Sequence, residues 1–241
     1  MIPAQLQPVK LGLAIFFAGQ EFGDKITMTG RLREASDGAL DGEPMILPIP
    51  MGGPPDAPRI QLGARDRSLV LQLSAVRLSL EWSKRRPEPV GWGDCRDAFE
   101  KTLGGILRVF IGEYARPTRF AYAPQFIYPL GRSANEYLAT QFIQPGRVAS
   151  PPFSCKIGLM DQVQARGRPM HLWTNLASAR HQQRMEKDDV LVIQFDLRTA
   201  NDDARGLGAE EILAILDETD RLMEDRLQTA FIDLFSQGGG A

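Results

Sequence analysis

The sequence predicts an α+β fold, antiparallel strands carrying two long amphipathic helices, and three stretches make the case. Leu69, Leu71 and Leu73 alternate with Val70, Gln72 and Ser74, and Val76, Leu78, Leu80 and Trp82 alternate with Arg77, Ser79 and Glu81. Alternation is the period of a strand with one face buried. Phe99, Leu103, Ile106, Leu107, Phe110 and Tyr114 then recur at spacings of three and four, which is one stripe of a helix. Glu210 to Phe235 repeats that spacing through Ile212, Leu216, Thr219, Met223, Leu227, Ala230 or Phe231, and Leu234.

Between the two alternating sets the phase slips by one residue. A slip would turn the apolar set of a continuous strand to the wrong face, so a bulge or tight turn at Ser74-Ala75 is required. Lys84-Arg85-Arg86-Pro87 through Gly93 cannot continue a ladder and reads as a solvated loop. Asp94 is placed to cap the helix that follows, with Asp97 near its positive end. Gly104-Gly105 lies within that helix and weakens it by roughly 1 kcal/mol per glycine. Close approach of another backbone is the expected compensation.

Upstream, Leu11, Leu13, Ile15 and Phe17 alternate as a buried first strand. The small-residue pattern of a signal cleavage site is poor there. Ile26, Met28 and Leu32, set against Thr27, Thr29 and Arg31, read as a half-exposed strand. Asp37-Gly38 and Asp41-Gly42 mark turns. Met45 to Pro50 is apolar, but Pro48 and Pro50 confine it to an edge or a loop. Ile60 and Leu62 make a short strand leading to Leu69. Downstream, Phe120, Tyr122, Phe126 and Tyr128 form an aromatic strand region broken by Pro124, and Tyr137 to Ile143 is a short apolar segment. Cys155 to Gln164 and Met170 to Leu176 form a hairpin around Arg166-Gly167-Arg168. Val190 to Leu197 is the strongest strand of this half, and Gly238-Gly239-Gly240 ends the last helix.

The order strands-then-helix thus occurs twice. The expected organisation is a first half over 1–116, a second over 117–236 and a tail over 237–241, packed as one unit. Two similar halves sharing a core is one architecture; a single irregular sheet with both helices on one face is the other.

Composition excludes more than it selects. The chain has 241 residues, 43% hydrophobic and 24% charged, with a formal net charge of -2. Nothing in that balance draws it to nucleic acid or an anionic membrane. No apolar run reaches the ~20 residues needed to cross a bilayer, and a cytoplasmic location is expected. Cys95 and Cys155 form no metal or disulfide-framework pattern and read as buried free thiols. No metal and no other cofactor is expected. Gly91 and Gly93 ahead of the helix lack the Walker lysine and the remaining glycines of a phosphate loop. With only His171 and His181, a histidine-rich metal site is excluded.

Asp188, Asp189 and Asp196 bracket the Val190–Leu197 strand, with Asp202-Asp203 beyond and Lys187 beside them. Carboxylates at strand ends are the raw material of a metal-dependent nuclease, here through Asp189 and Asp196. A turn before a strand explains them more simply. No nucleophile elbow and no cysteine–histidine pair stands in a catalytic context, so no catalytic residue is assigned. Basic groups at Lys84-Arg85-Arg86, Arg116 with Arg119, Arg166 with Arg168, and Arg180 with Arg184 are balanced by acidic ones and lack interleaved aromatics. Nucleic acid is therefore not the expected partner. The residues singled out for binding are Arg77, Trp82, Arg85, Arg86, Trp92, His171 and Trp173. The last two share a strand face with Asn175, and the segments Phe120–Tyr128 and Trp82–Trp92 supply aromatics beside arginine.

The order Leu71-Gln72-Leu73, Arg77-Leu78-Ser79-Leu80, Trp82, polar loop and Phe99-bearing helix resembles a sporadically distributed family of uncharacterised bacterial proteins. The Phe195-Asp196 strand and a long helix finishing near Phe231 or Phe235 continue the likeness, which covers most of the chain in order. Glu81 stands where the family usually has Asn before its Trp, and Trp92 replaces the usual Tyr of the loop. The resemblance implies no activity; a patchy distribution implies a mobile-element or defence-associated accessory protein. The expected function is a non-enzymatic protein-interaction or accessory component, its partner another protein or a second copy. The alternative is a small-ligand binder with a cavity between sheet and helix, and His171 or Arg77 at its mouth.

Overall fold

The computed structural model describes residues 2, 5–50, 52–85, 88–143, 155–179, 190–201 and 205–230. Arg86, His181, Lys187, Asp188, Asp189, Asp202-Asp203, the Arg180/Arg184 pair and the chain beyond Ala230, with Phe231, Leu234 and Phe235, lie outside the described residues.

Alternation and burial agree along β1 (Gln7–Phe17), in which Leu11, Leu13, Ile15 and Phe17 are buried. Strand β1 pairs antiparallel with β5 (Arg77–Ser83) on one side. On its other side it meets β6 (Pro117–Tyr122) and then β7 (Gln125–Pro129), two pieces of one line interrupted at Ala123-Pro124. From β5 the sheet continues outward through β4 (Leu69–Leu73), β3 (Ile60–Gly63) and the two-residue β2 (Met45–Ile46). From β6 and β7 it continues through β10 (Val190–Thr199) and β9 (Arg168–Ala179) to β8 (Lys156–Ala165). Every pairing is antiparallel.

The phase slip predicted at Ser74-Ala75 is a turn. Ser74 N–H donates to the Arg77 carbonyl at 2.8 Å, and the Ser74 hydroxyl accepts from the Arg77 N–H at 3.0 Å. The predicted hairpin at Arg166-Gly167 is also present. Both residues have positive φ, 52° and 72°, the conformation a two-residue turn between twisted strands requires.

Helices come in the same places in both halves. The first half runs β1, α1 (Lys25–Ala35), the β2–β5 meander and α2 (Trp92–Glu113); the second runs β6–β7, α3 (Ala134–Phe142), the β8–β10 meander and α4 (Ala209–Ala230). The fold is therefore α+β in two similar halves that share one sheet. The helices pack on the face bearing Leu13, Ile15, Leu78, Leu80, Phe120, Tyr122, Phe195 and Leu172, and their buried stripes merge with it into a single core. Among the described residues the opposite face of the sheet is left open, and its side chains are half-buried or exposed apart from Val190 and Asp196, which are buried.

Two local predictions are corrected. Ile26 to Leu32 is helix, not strand. Asp24 caps it by accepting from Thr27 N–H, Met28, Thr29 and Leu32 are buried together, and Ile26 is 77% exposed. Met28 and Leu32 are four apart, and that helical spacing prevails over the shorter alternation with Ile26. Helix α2 starts at Trp92 with Gly91 as its cap, so Asp94 sits in the first turn and does not cap it.

Gly105 meets the backbone approach inferred for it: a Cβ there would overlap the Ala35 carbonyl oxygen at the end of α1. Gly105→Ala is expected to lower stability by about 1–3 kcal/mol through that overlap. Gly30→Ala, in a helical position with open space around it, is expected to raise stability by about 0.5–1 kcal/mol. Urea denaturation of both variants measures the contrast.

Candidate functional site

The residues singled out for binding fall on two sides of the sheet. Arg77, His171 and Trp173 are on the open face, opposite the buried Leu78 and Leu172. Trp82, in register with Leu11 and Leu69, is on the helix side and packs against the core. Arg85 is exposed, and its Nε donates to the Arg67 carbonyl at 3.0 Å. Trp92 opens α2, packs on Phe126 with ring centroids 4.9 Å apart, and donates from Nε1 to Asp220 at 3.3 Å. The aromatic segment Phe120–Tyr128 offers no interface anchor at its centre, because Phe120, Tyr122 and Phe126 are buried.

On the open face a single register row runs from Gln61 through Gln72, Ser79, Ala14, Ala121, Arg198 and His171 to Gln162. Arg77 and Arg119 flank Phe16 one step along, with the Arg119 guanidinium 5.4 Å from the Phe16 ring centre. Arg77 and His171 are separated by four strand spacings, roughly 19 Å, too far to act on one small molecule. The rim is the more concentrated feature. Met160 on β8 faces Trp173 on β9, and they are 47% and 39% exposed. Behind Trp173, Asp196 holds Arg198, whose Nε donates to it at 2.7 Å.

Sequence reasoning missed a polar clamp between α2 and α4. Arg96 contacts Glu100 at 2.8 Å, Asp217 at 2.7 Å and Asp220 at 2.7 Å. The signals were there in Arg96 with Glu100 four apart and Asp217 with Asp220 three apart, each pair on one helix face. Nothing in the spacing says that the two helices meet. Burial raises the carboxyl pKa of Glu100 and of Asp220, although Arg96 pulls both back down. Tyr122 is raised well above its ordinary value, first by burial and then by the carboxylates of Asp220 and Glu100. Its hydroxyl and the Asp220 Oδ1 are buried without a hydrogen-bond partner.

The cysteines are free and buried, as expected, and burial pushes Cys95 up to about 12, which leaves it an inert thiol. Among the described residues no three of histidine, cysteine, aspartate and glutamate gather as a metal would need. A surface pocket of about 280 Å³ lies at the start of α1, lined by Gln20, Glu21, Phe22, Gly23, Asp24, Thr27, Met28, Glu113 and Tyr114. Neither Arg77 nor His171 lines it, and its carboxylates are engaged: Glu21 by Arg59, Glu113 by Arg31 and Asp24 by Thr27. No helix among the described residues is long and apolar enough to cross a membrane. No family model matches the sequence, and no curated protein matches it.

The clamp sets a pH dependence whose sign follows from the raised carboxyls. A carboxyl that ionises less readily in the fold than in the unfolded chain costs stability at neutral pH. That cost is relieved as pH falls through folded values lying above 4.5 for Glu100 and 3.8 for Asp220. Glu100→Gln and Asp220→Asn are therefore expected to gain less stability than the parent as pH falls from about 7 to about 4. Equal slopes in urea melts of parent and variants would contradict the assignment. Arg96→Ala, which leaves those half-buried carboxylates without their cation, is expected to destabilise by about 1–3 kcal/mol near neutral pH.

Proposed function

We propose that the chain is a non-enzymatic protein-interaction module, an accessory component that offers the β8–β9 rim of its sheet to another polypeptide. One observation carries this reading: among the described residues the two edges of the sheet are guarded unequally. Edge strand β2 is two residues long, with Pro44, Pro48 and Pro50 around it. Short edges and prolines are the usual defences against unwanted strand pairing. Edge strand β8 has ten residues, contains no proline and keeps one unbroken register with β9.

Its charges do not guard it either. Asp161 is engaged by Arg226 of α4 at 2.8 Å, and Lys156 stands only at its start. A long, regular edge with its main-chain groups directed outward is a template for an incoming strand. The exposed Met160/Trp173 pair beside it supplies the aromatic and polarisable contacts that anchor interfaces.

A photo-reactive benzoylphenylalanine placed at either edge tests this. Met45 and Met160 are both 47% exposed, on β2 and β8 respectively, so accessibility cancels. Irradiation in the native cell is expected to yield a covalent polypeptide adduct from position 160 and none above background from position 45. Equal yields, or none from position 160, would contradict the reading.

A further inference from the structure

Strand β8 is self-complementary. We infer that its occupant is a second copy of this chain, joined antiparallel β8 to β8 about a two-fold axis at Met160, so that two sheets become one. The inference rests on the β8 rim being an interaction surface, and it names the partner.

Residues directly opposed in an antiparallel pair share a face of the sheet. A symmetric pairing therefore keeps both open faces on the same side only when the axis passes through a residue and not between two. Three central positions qualify. An axis at Asp161 sets that carboxylate against its own copy. An axis at Leu159 shortens the ladder to Lys156–Gln162.

An axis at Met160 uses the strand from Lys156 to Gln164 and opposes no like charges. Lys156 faces Gln164, Ile157 faces Val163, Gly158 faces Gln162 and Leu159 faces Asp161. Ile157 and Val163 are partly buried against the core on the helix side, and their pairing extends that apolar layer across the junction. On the open face, Met160 and Trp173 of each copy, cross-strand neighbours 47% and 39% exposed, join their counterparts in one patch. Charges above the rim do not oppose the approach, since Arg166 and Arg168 engage Glu218 and Glu211 of α4.

Sedimentation of the full chain over a concentration series is expected to show a monomer–dimer equilibrium. Met160→Lys, which sets two ammonium groups on the axis, is expected to weaken it at least about tenfold, whereas Met45→Lys on the opposite edge leaves it unchanged. Mild oxidation is expected to cross-link Met160→Cys into a dimer. Gly158→Cys is expected not to cross-link, because its copy lies four residues away along the strands, about 13 Å. A parent chain that stays monomeric to about 100 µM, a dimer indifferent to Met160→Lys, or equal cross-linking of the two cysteine variants would each overturn the inference. If the chain is monomeric while benzoylphenylalanine at position 160 captures a different polypeptide, self-pairing fails and the interaction module stands. If position 160 captures nothing, both fail.

Discussion

The fold depends on where β1 lies. It is the first strand of the chain, yet it occupies the middle of the sheet, with β5 on one flank and β6 and β7 on the other. Its four inward side chains, Leu11, Leu13, Ile15 and Phe17, lie under helix α2 and join the side chains of both halves in the core. Loss of that strand would remove the inner partner of each half together. Fixing it in the centre also dictates the arrangement outward: each meander returns toward it, and its two far ends become edges of the sheet. The unequal treatment of those edges is the asymmetry on which the proposed interaction surface rests.

The four helices among the described residues cover one face, and α1 and α4 are each also locked to α2. Gly105 lets α2 reach the end of α1, and Arg96 gathers carboxylates of α2 and α4. Buried charge of this kind contributes less to net stability than to the choice of one arrangement over others, since each ion has lost its water. Among the described residues the open face bears no comparable clamp. Its central row holds three glutamines, small residues, one arginine and one histidine.

Much of this was legible in the sequence where burial imposes a period. The alternation in β1, β4 and β5 and the three-four spacing in α2 and α4 reflect one buried face each, whereas β10 was legible as a short apolar run buried more continuously. The Arg166-Gly167 turn could be read from its chemistry. The misreading of α1 has a plain cause: with a single apolar stripe of Met28 and Leu32 and an exposed Ile26, eleven residues are too few to separate the two periods. The meeting of Arg96 with Asp217 and Asp220 was beyond reach, because a contact across more than a hundred positions leaves no local pattern. His171 and Trp173 were rightly placed on one strand face, while Trp82 belongs to the other side of the sheet and Trp92 to the helix clamp. The importance of Met160 needed the register, which alone shows that it faces Trp173 on an edge.

Native-state hydrogen exchange is the most direct measure of a sheet held together through β1. The account predicts that β1 amides bonded to β5 and those bonded to β6 and β7 exchange only through one global opening, with the same free energy and the same dependence on denaturant. If β6, β7 and β10 instead open together while the β1–β5 pairing stays closed, the halves are separable bodies and the shared-strand account is contradicted.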